Sequence, residues 1–166
     1  MVLVGVVCVG PKNEMGINNR CCFDIPEDRK FFRSLIADHI VLVGRKTFES
    51  MPKSVFKKCE QVIVLTQSDC RDKPNEGNIS YQHGFPIKYI DSNYPVYVIG
   101  GNNTFKRLES MIQTFYITRV NRPVEVADTY FTVDLTPYIC RTSDNTPSGD
   151  DWKIIKYSKS ISTLFN

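Results

Sequence analysis

The 166-residue chain is 42% hydrophobic and carries 21 basic against 18 acidic side chains, a formal net charge of +3. That length buries a substantial core as one domain, 1–166, and the scattered charges argue against a nucleic-acid partner. No apolar run is long enough to cross a membrane, and "MVLVGVVCVG" lacks the basic flank of a leader, so a cytoplasmic protein is expected.

In chain order, "VLVGVVCV" reads as a buried strand and is followed by polar "PKNEMGINN". A helix is predicted over 26–38, opened by Pro26. "HIVLVG" is a strand, 46–51 a short helix and "EQVIVLT" a strand, and "QSDCRDKPNEGN" is a surface loop. A weak helix is expected over 87–92, then the strand "YPVYVIGG" and a helix over 103–111. "TFYITRV", "TYFTVD" and "WKIIKYS" alternate apolar with polar residues, which predicts antiparallel strands finishing one edge. The pattern implies an α/β fold of three layers: a mixed, mostly parallel central sheet, helices on both faces and an antiparallel C-terminal edge. Cys8, Cys21, Cys22, Cys59, Cys70 and Cys140 show no zinc spacing, and a chain of this size needs no disulfide staples, so reduced thiols are expected. His39 and His83 stand apart, and no metal is expected.

The first helix contains an anomaly. At about 100° per residue, Phe31, Phe32, Leu35 and Ile36 share a stripe with Asp28 at its centre. An acid in the first turn suits the helix dipole, but Glu27 would serve that purpose equally well. An ionised group on an apolar face needs a polar partner, and a bound ligand is one candidate. Two strand ends suggest phosphate handling. "VLVGRKTFES" runs from a strand through Gly44 into Arg45, Lys46 and Thr47, and "VYVIGGNNTFKRL" places Gly100 and Gly101 before another helix. Neither is a dinucleotide fingerprint or phosphate loop by itself. Together they suit a dinucleotide lying across the strands' carboxyl ends. No nucleophile elbow or Cys/His pair is present, which argues against covalent catalysis.

"MGINN", "IPEDRKFF", "VGRKTFESMP", "VIVLT", "VIGGNNTF", "YITRV" and "ADTYF", in this order, resemble dihydrofolate reductase from Val2 to about Trp152. The resemblance implies NADPH-dependent reduction of dihydrofolate by hydride transfer to C6 with protonation at N5, in a monomer. It implies that Asp28, supported by Thr118, hydrogen-bonds the pterin and governs proton delivery through water. Burial and a cationic pterin would shift the Asp28 pKa in opposite directions. The implied substrate pocket is Val6, Cys8, Asp28, Arg29, Phe32, Met51, Ile99 and Thr118. The implied cofactor side is Cys8, Ile99, Gly16 and Asn19 on a mobile loop, Gly44 to Thr47, Leu65, Thr66, Gln67, and Gly100, Gly101, Asn102, Asn103, Thr104 and Phe105. A cis Gly100–Gly101 bond and a loop latch at Asp128 are also implied.

Four positions depart from the family's pattern. Phe23 replaces a Trp and Phe105 a Tyr, each losing a hydrogen-bond donor. Asn103 replaces a cation near phosphate. The Arg that grips the glutamate α-carboxylate aligns with Glu60 counted back from Leu65 and Thr66, or with Lys58 counted forward from Met51; Lys58, with a loop insertion, is the favoured match. The missing Arg leaves open a reductase of an unconjugated pterin, and the missing donors leave open a decayed ligand-binding or structural module. The 14 residues after Trp152 imply a short last hairpin, with "STLFN" a truncated edge strand.

Overall fold

The computed structural model describes residues 1–68, 74–84, 93–141 and 145–160; the helix expected over 87–92, Cys70 and "STLFN" lie outside them. In chain order the elements are β1 (Leu3–Val9), β2 (Glu14–Ile17), β3 (Arg20–Cys21), α1 (Pro26–Ile36), β4 (Ile40–Gly44), α2 (Arg45–Ser50), a 3₁₀ turn (Lys53–Phe56), β5 (Gln61–Thr66), β6 (Ile79–His83), β7 (Val96–Val98), α3 (Asn102–Leu108), β8 (Ile112–Val120), β9 (Thr129–Tyr130), β10 (Tyr138–Arg141) and β11 (Trp152–Lys159).

The Val- and Ile-rich runs form the middle of an eight-stranded sheet ordered β10-β11-β8-β1-β7-β4-β5-β6. Every pairing from β8 to β6 is parallel, and β11 runs antiparallel to both β8 and β10. Both faces are covered, as continuous apolar runs require. Successive residues of β1, β4, β5 and β7 divide between two cores. Val4, Val41, Val43, Val62 and Tyr97 pack with Ile36 of α1 and Phe48 of α2, whereas Leu3, Val7, Leu42, Ile63 and Val98 pack with Phe105 and Leu108 of α3. The sheet is therefore the middle of three layers. Among the described residues, no helix is long and apolar enough to cross a membrane.

The expected antiparallel C-terminal edge is present as β8, β11 and β10, but its make-up differs in two ways from the expected strands. β8 is interior, paired with β1 and β11, because its buried residues face both layers. Only Thr129 and Tyr130 of "TYFTVD" form a strand, and they pair with β2 in a separate three-stranded sheet ordered β3-β2-β9. Phe131 and Val133 instead enter the α3-side core. α1 ends two residues before the expected boundary: Ala37 is extended, with ψ 138°, and Asp38 has φ 59°.

Candidate active site

The strand ends, α1 and the small sheet enclose a cleft of about 1180 Å³. Its floor comes from the carboxyl-terminal portions of β1, β4, β5 and β8, where open parallel sheets usually bind ligands. Pro26 starts α1 without needing an N–H partner and Glu27 and Asp28 occupy its first turn, so the helix begins beside this opening. Phe31, Phe32 and Leu35 are only half-buried and Ile36 alone in α1 is fully buried, so the apolar stripe divides between pocket wall and core.

Asp28 projects from that wall toward β8. Thr118, buried on β8, donates from Oγ1 to Asp28 Oδ1 at 2.6 Å. This leaves Oδ2 without a partner among the described residues. Burial raises the Asp28 carboxyl above its usual range, while the Thr118 hydrogen bond pulls it down; burial dominates.

The β2–β3 hairpin closes one side of the opening. Asn18 and Asn19 turn its tip with φ 51° and 60°, the left-handed conformation Asn tolerates and a tight two-residue turn demands. Asn18 N–H donates to Asp128 Oδ2 at 2.8 Å, and Asp128 N–H donates back to the Gly16 carbonyl at 3.0 Å. The amide of Asn18 and the hydroxyl of Thr129 hold the Asp128 carboxyl below its usual range. Gly16 has no room for a side chain, since a Cβ would lie 2.5 Å from the Arg20 carbonyl oxygen.

The opposite half of the cleft is built for an extended anion. Gly44 N–H donates to the Gly100 carbonyl at 2.6 Å, and a Cβ on Gly44 would meet Thr104 Oγ1 at 2.9 Å. A Cβ on Gly101 would come within 3.1 Å of Thr47 Oγ1. Backbone and hydroxyl groups thus crowd together where side chains would fill the cradle. The Gly100–Gly101 bond is cis. Lys46 is exposed with no ion pair among the described residues, while Arg45 Nη1 contacts both Glu49 oxygens at 2.9–3.0 Å. Beyond them, Thr66 Oγ1 and Ser68 Oγ lie 2.8 Å apart.

The structure brings most of the expected positions together. Val6, Cys8, Asp28, Arg29, Phe32, Met51, Ile99 and Thr118 line the cleft. So do Gly16 and Asn19, Gly44 through Thr47, Leu65, Thr66, Gln67 and Gly101 through Thr104. Three expected positions do not. Lys58 is exposed and outside the cleft; it lies in a stretch where Phe56 and Cys59 turn into the core and Asn78 Nδ2 donates to both their carbonyls at 3.0 and 2.8 Å. Glu60, the other alignment, is likewise exposed. Phe105 is fully buried on the α3 side, against Phe115 and Phe131 at 5.8 and 5.7 Å between ring centroids. Gly100 is buried between Gly44 and that ring.

Other lining residues are absent from the sequence reading. Arg33 is exposed, lines the cleft and makes no ion pair among the described residues; its signal was its place one turn after Arg29. Cys21 and Arg107 also line it.

Comparison with known proteins agrees with this geometry. The dihydrofolate reductase family profile matches residues 2–160. Dihydrofolate reductase type 9 of Escherichia coli is 27% identical over 120 residues, covering 69% of this chain and 68% of that one. The dihydrofolate reductase of Lactococcus lactis subsp. lactis is 25% identical over 134 residues, covering 78% and 77%. The solved dihydrofolate reductase of Enterococcus faecalis, complexed with NADP(H) and RAB-propyl, superposes with a TM-score of 0.79 over 96% of each chain at 22% identity, which shows the shared fold. A profile matched over nearly the whole length, on a fold that gathers these strand ends around Asp28, shows that the chain belongs to the dihydrofolate reductase family.

Proposed function

We propose that the cleft reduces 7,8-dihydrofolate to 5,6,7,8-tetrahydrofolate with NADPH, as an NADPH-dependent oxidoreductase. The observation that carries this reading is Asp28, fixed by Thr118 in an apolar wall that adjoins the glycine-lined anion cradle. When bound, NADPH supplies the hydride that reaches C6 of the pterin. Asp28 Oδ2 accepts from the N3 and 2-amino hydrogens of the pterin, and Thr118 sets the carboxylate's orientation. Burial keeps the Asp28 proton affinity high, so this group stabilises a protonated pterin while water carries the proton to N5. Val6, Cys8, Phe32, Met51 and Ile99 form the apolar walls that exclude bulk water. Gly44, Thr47, Gly101 and Thr104 cradle the phosphates, with Lys46, Arg45 and Thr66 toward the adenosine end; Asp128 holds the hairpin closed. The same reading makes residues 1–166 one domain, monomeric and cytoplasmic, with no nucleic-acid partner.

The glutamate carboxylate requires a cation that Lys58 does not supply. Arg33, which makes no ion pair among the described residues, stands at the α1 wall beyond Phe32, meets that need and brings a bidentate fork; Arg29 is engaged with Asp24 at 3.1 Å. Arg33→Ala raises KM for dihydrofolate about tenfold with little change in kcat, while Lys58→Ala changes neither. Neither variant alters the constants for a glutamate-free dihydropterin. An unchanged KM in Arg33→Ala removes that residue from carboxylate binding. The overall reading is tested by following NADPH oxidation with purified protein and dihydrofolate; binding of both ligands without turnover refutes it.

A further inference from the structure

The segment 128–134 ties the hairpin to α3. Asp128, Thr129, Tyr130 and Thr132 of this strap line the cleft, while Phe131 and Val133 are buried in the α3-side core. On the hairpin side, Asp128 N–H donates to the Gly16 carbonyl at 3.0 Å and Phe131 N–H to the Asn13 carbonyl at 2.8 Å. Arg119 of β8 in turn donates from Nη1 to Asn13 Oδ1 at 2.7 Å. On the α3 side, the Asn102 side chain meets Thr132 twice: Nδ2 donates to Thr132 Oγ1 at 2.8 Å, and Oδ1 accepts from Thr132 N–H at 3.0 Å. Further along, Asp134 N–H donates to Glu109 Oε1 at 2.6 Å. Asn102 directly follows Gly101 of the anion cradle, and both line the cleft. We propose that Asn102 is a positioning residue that acts through Thr132: its amide clasps the strap to the cradle, and the strap holds the hairpin over the bound cofactor.

An Asn side chain suits this place because its amide offers a donor and an acceptor side by side, much as the backbone of a neighbouring strand would. β9 ends at Tyr130, and beyond it the side chains of Asn102 and Glu109 take over as partners of the strap's amides. Phe131 and Thr132, adjacent in sequence, thus bond in different directions, one to the turn before β2 and the other to α3. The strap consequently bridges the small sheet and the helix that packs on the large one. Each bond of the clasp is modest, but a residue without a polar side chain loses both together. The hairpin they steady is short, with β2 of four residues and β3 of two, so its opening is sensitive to such a loss. With the clasp intact, Gly16 and Asn19 stay beside the cradle; without it, the strap pivots on its buried Phe131 and Val133 and the hairpin opens more often. Cofactor escape is therefore the step the clasp controls, and the hydride step is not. This role in cofactor retention rests on the reductase reading.

Amide hydrogen exchange of the ligand-free protein and stopped-flow release of NADPH test the clasp. In Asn102→Ala, the Asn18, Asp128 and Phe131 amides exchange about tenfold faster than in wild type, while those of β4 and β5 are unchanged. Asn102→Asp keeps wild-type exchange at these amides, because a carboxylate accepts from the Thr132 N–H and also from its hydroxyl, turned to donate. NADPH leaves Asn102→Ala about tenfold faster, while the single-turnover hydride step changes by less than about twofold. Asp128→Ala, which frees the hairpin end of the strap, also speeds release. The double variant releases NADPH at no more than about twice the rate of the faster single variant, since both substitutions cut one bridge. Unchanged exchange at Asp128 and Phe131 in Asn102→Ala overturns the proposal. So does faster exchange that extends equally to β4 and β5, which marks a general loss of stability. Release rates that multiply in the double variant overturn it as well, because they mark a direct hold of Asn102 on the cofactor. If the protein binds no NADPH, the reductase reading fails, and the exchange measurement still decides whether Asn102 positions the hairpin.

Discussion

Asp28→Asn lowers kcat/KM for dihydrofolate at pH 7 by about 10²-fold or more, and it raises the melting temperature at the same pH. The loss follows from the carboxylate's place in the mechanism: an amide presents one acceptor and two donors where the pterin's N–H groups need acceptors, and it cannot stabilise a protonated ring. A hundredfold loss corresponds to about 2.7 kcal/mol of transition-state stabilisation. The stability gain has the opposite origin. Burial raises the folded pKa of Asp28 above its ordinary value of 3.8, so the fold holds this proton more tightly than the unfolded chain does. Stability from that binding is fully present below the unfolded pKa and is lost as pH rises through the folded one. At pH 7 the ionised carboxylate therefore destabilises the fold, and the neutral amide, which still accepts from Thr118, removes the penalty. The gain is about 2 °C or more at pH 7 and shrinks toward zero near pH 3. Activity within threefold of wild type removes Asp28 from the chemistry. A melting temperature lowered equally at both pH values shows that the side chain is structural.

The anomaly that marks this site was visible in the sequence because helical periodicity and burial cost are both local arguments: one acid stood among Phe31, Phe32, Leu35 and Ile36. The central strands were equally visible, since continuous Val and Ile runs have few other uses. What the sequence concealed depends on tertiary placement. "ISYQH" and "YICR" are edge strands whose short, partly polar patterns say little, although each pairs fully with a neighbour. "INNR" contained its own signal, two consecutive Asn residues able to adopt positive φ, but the flanking strands are too short to show alternation. Phe105 directly follows Gly101, Asn102, Asn103 and Thr104, which line the cleft, and only the direction of α3 sends its ring to the opposite core. Lys58 was placed by counting through a stretch that forms a 3₁₀ turn, and Asn78, distant in sequence, fixes where that turn points.

Gly5→Ala destabilises the protein by about 3 kcal/mol, at the upper end for one added methyl, and lowers its melting temperature by roughly 6–12 °C. Gly5 pairs in register with Phe115 on β8, and a Cβ there would lie 2.2 Å from two carbons of the Phe115 ring. The ring has nowhere to go. It is fully buried, and Phe105, Phe131 and Tyr138 pack around it at centroid distances of 5.8, 5.5 and 5.5 Å. The methyl must therefore displace β1 itself, whose opposite face carries Val6 and Cys8 into the cleft. Phe115→Leu alone costs about 2 kcal/mol through the cavity it leaves. In the double variant the methyl occupies part of that cavity, so its loss falls short of the summed single losses by about 1 kcal/mol or more. Denaturant unfolding of the four proteins measures this coupling. Strict additivity shows that β1 absorbs the methyl without pressing on the ring. Coupling joined to a lower kcat in Gly5→Ala, regained in the double variant, ties the aromatic core behind the sheet to the geometry of the cleft in front of it.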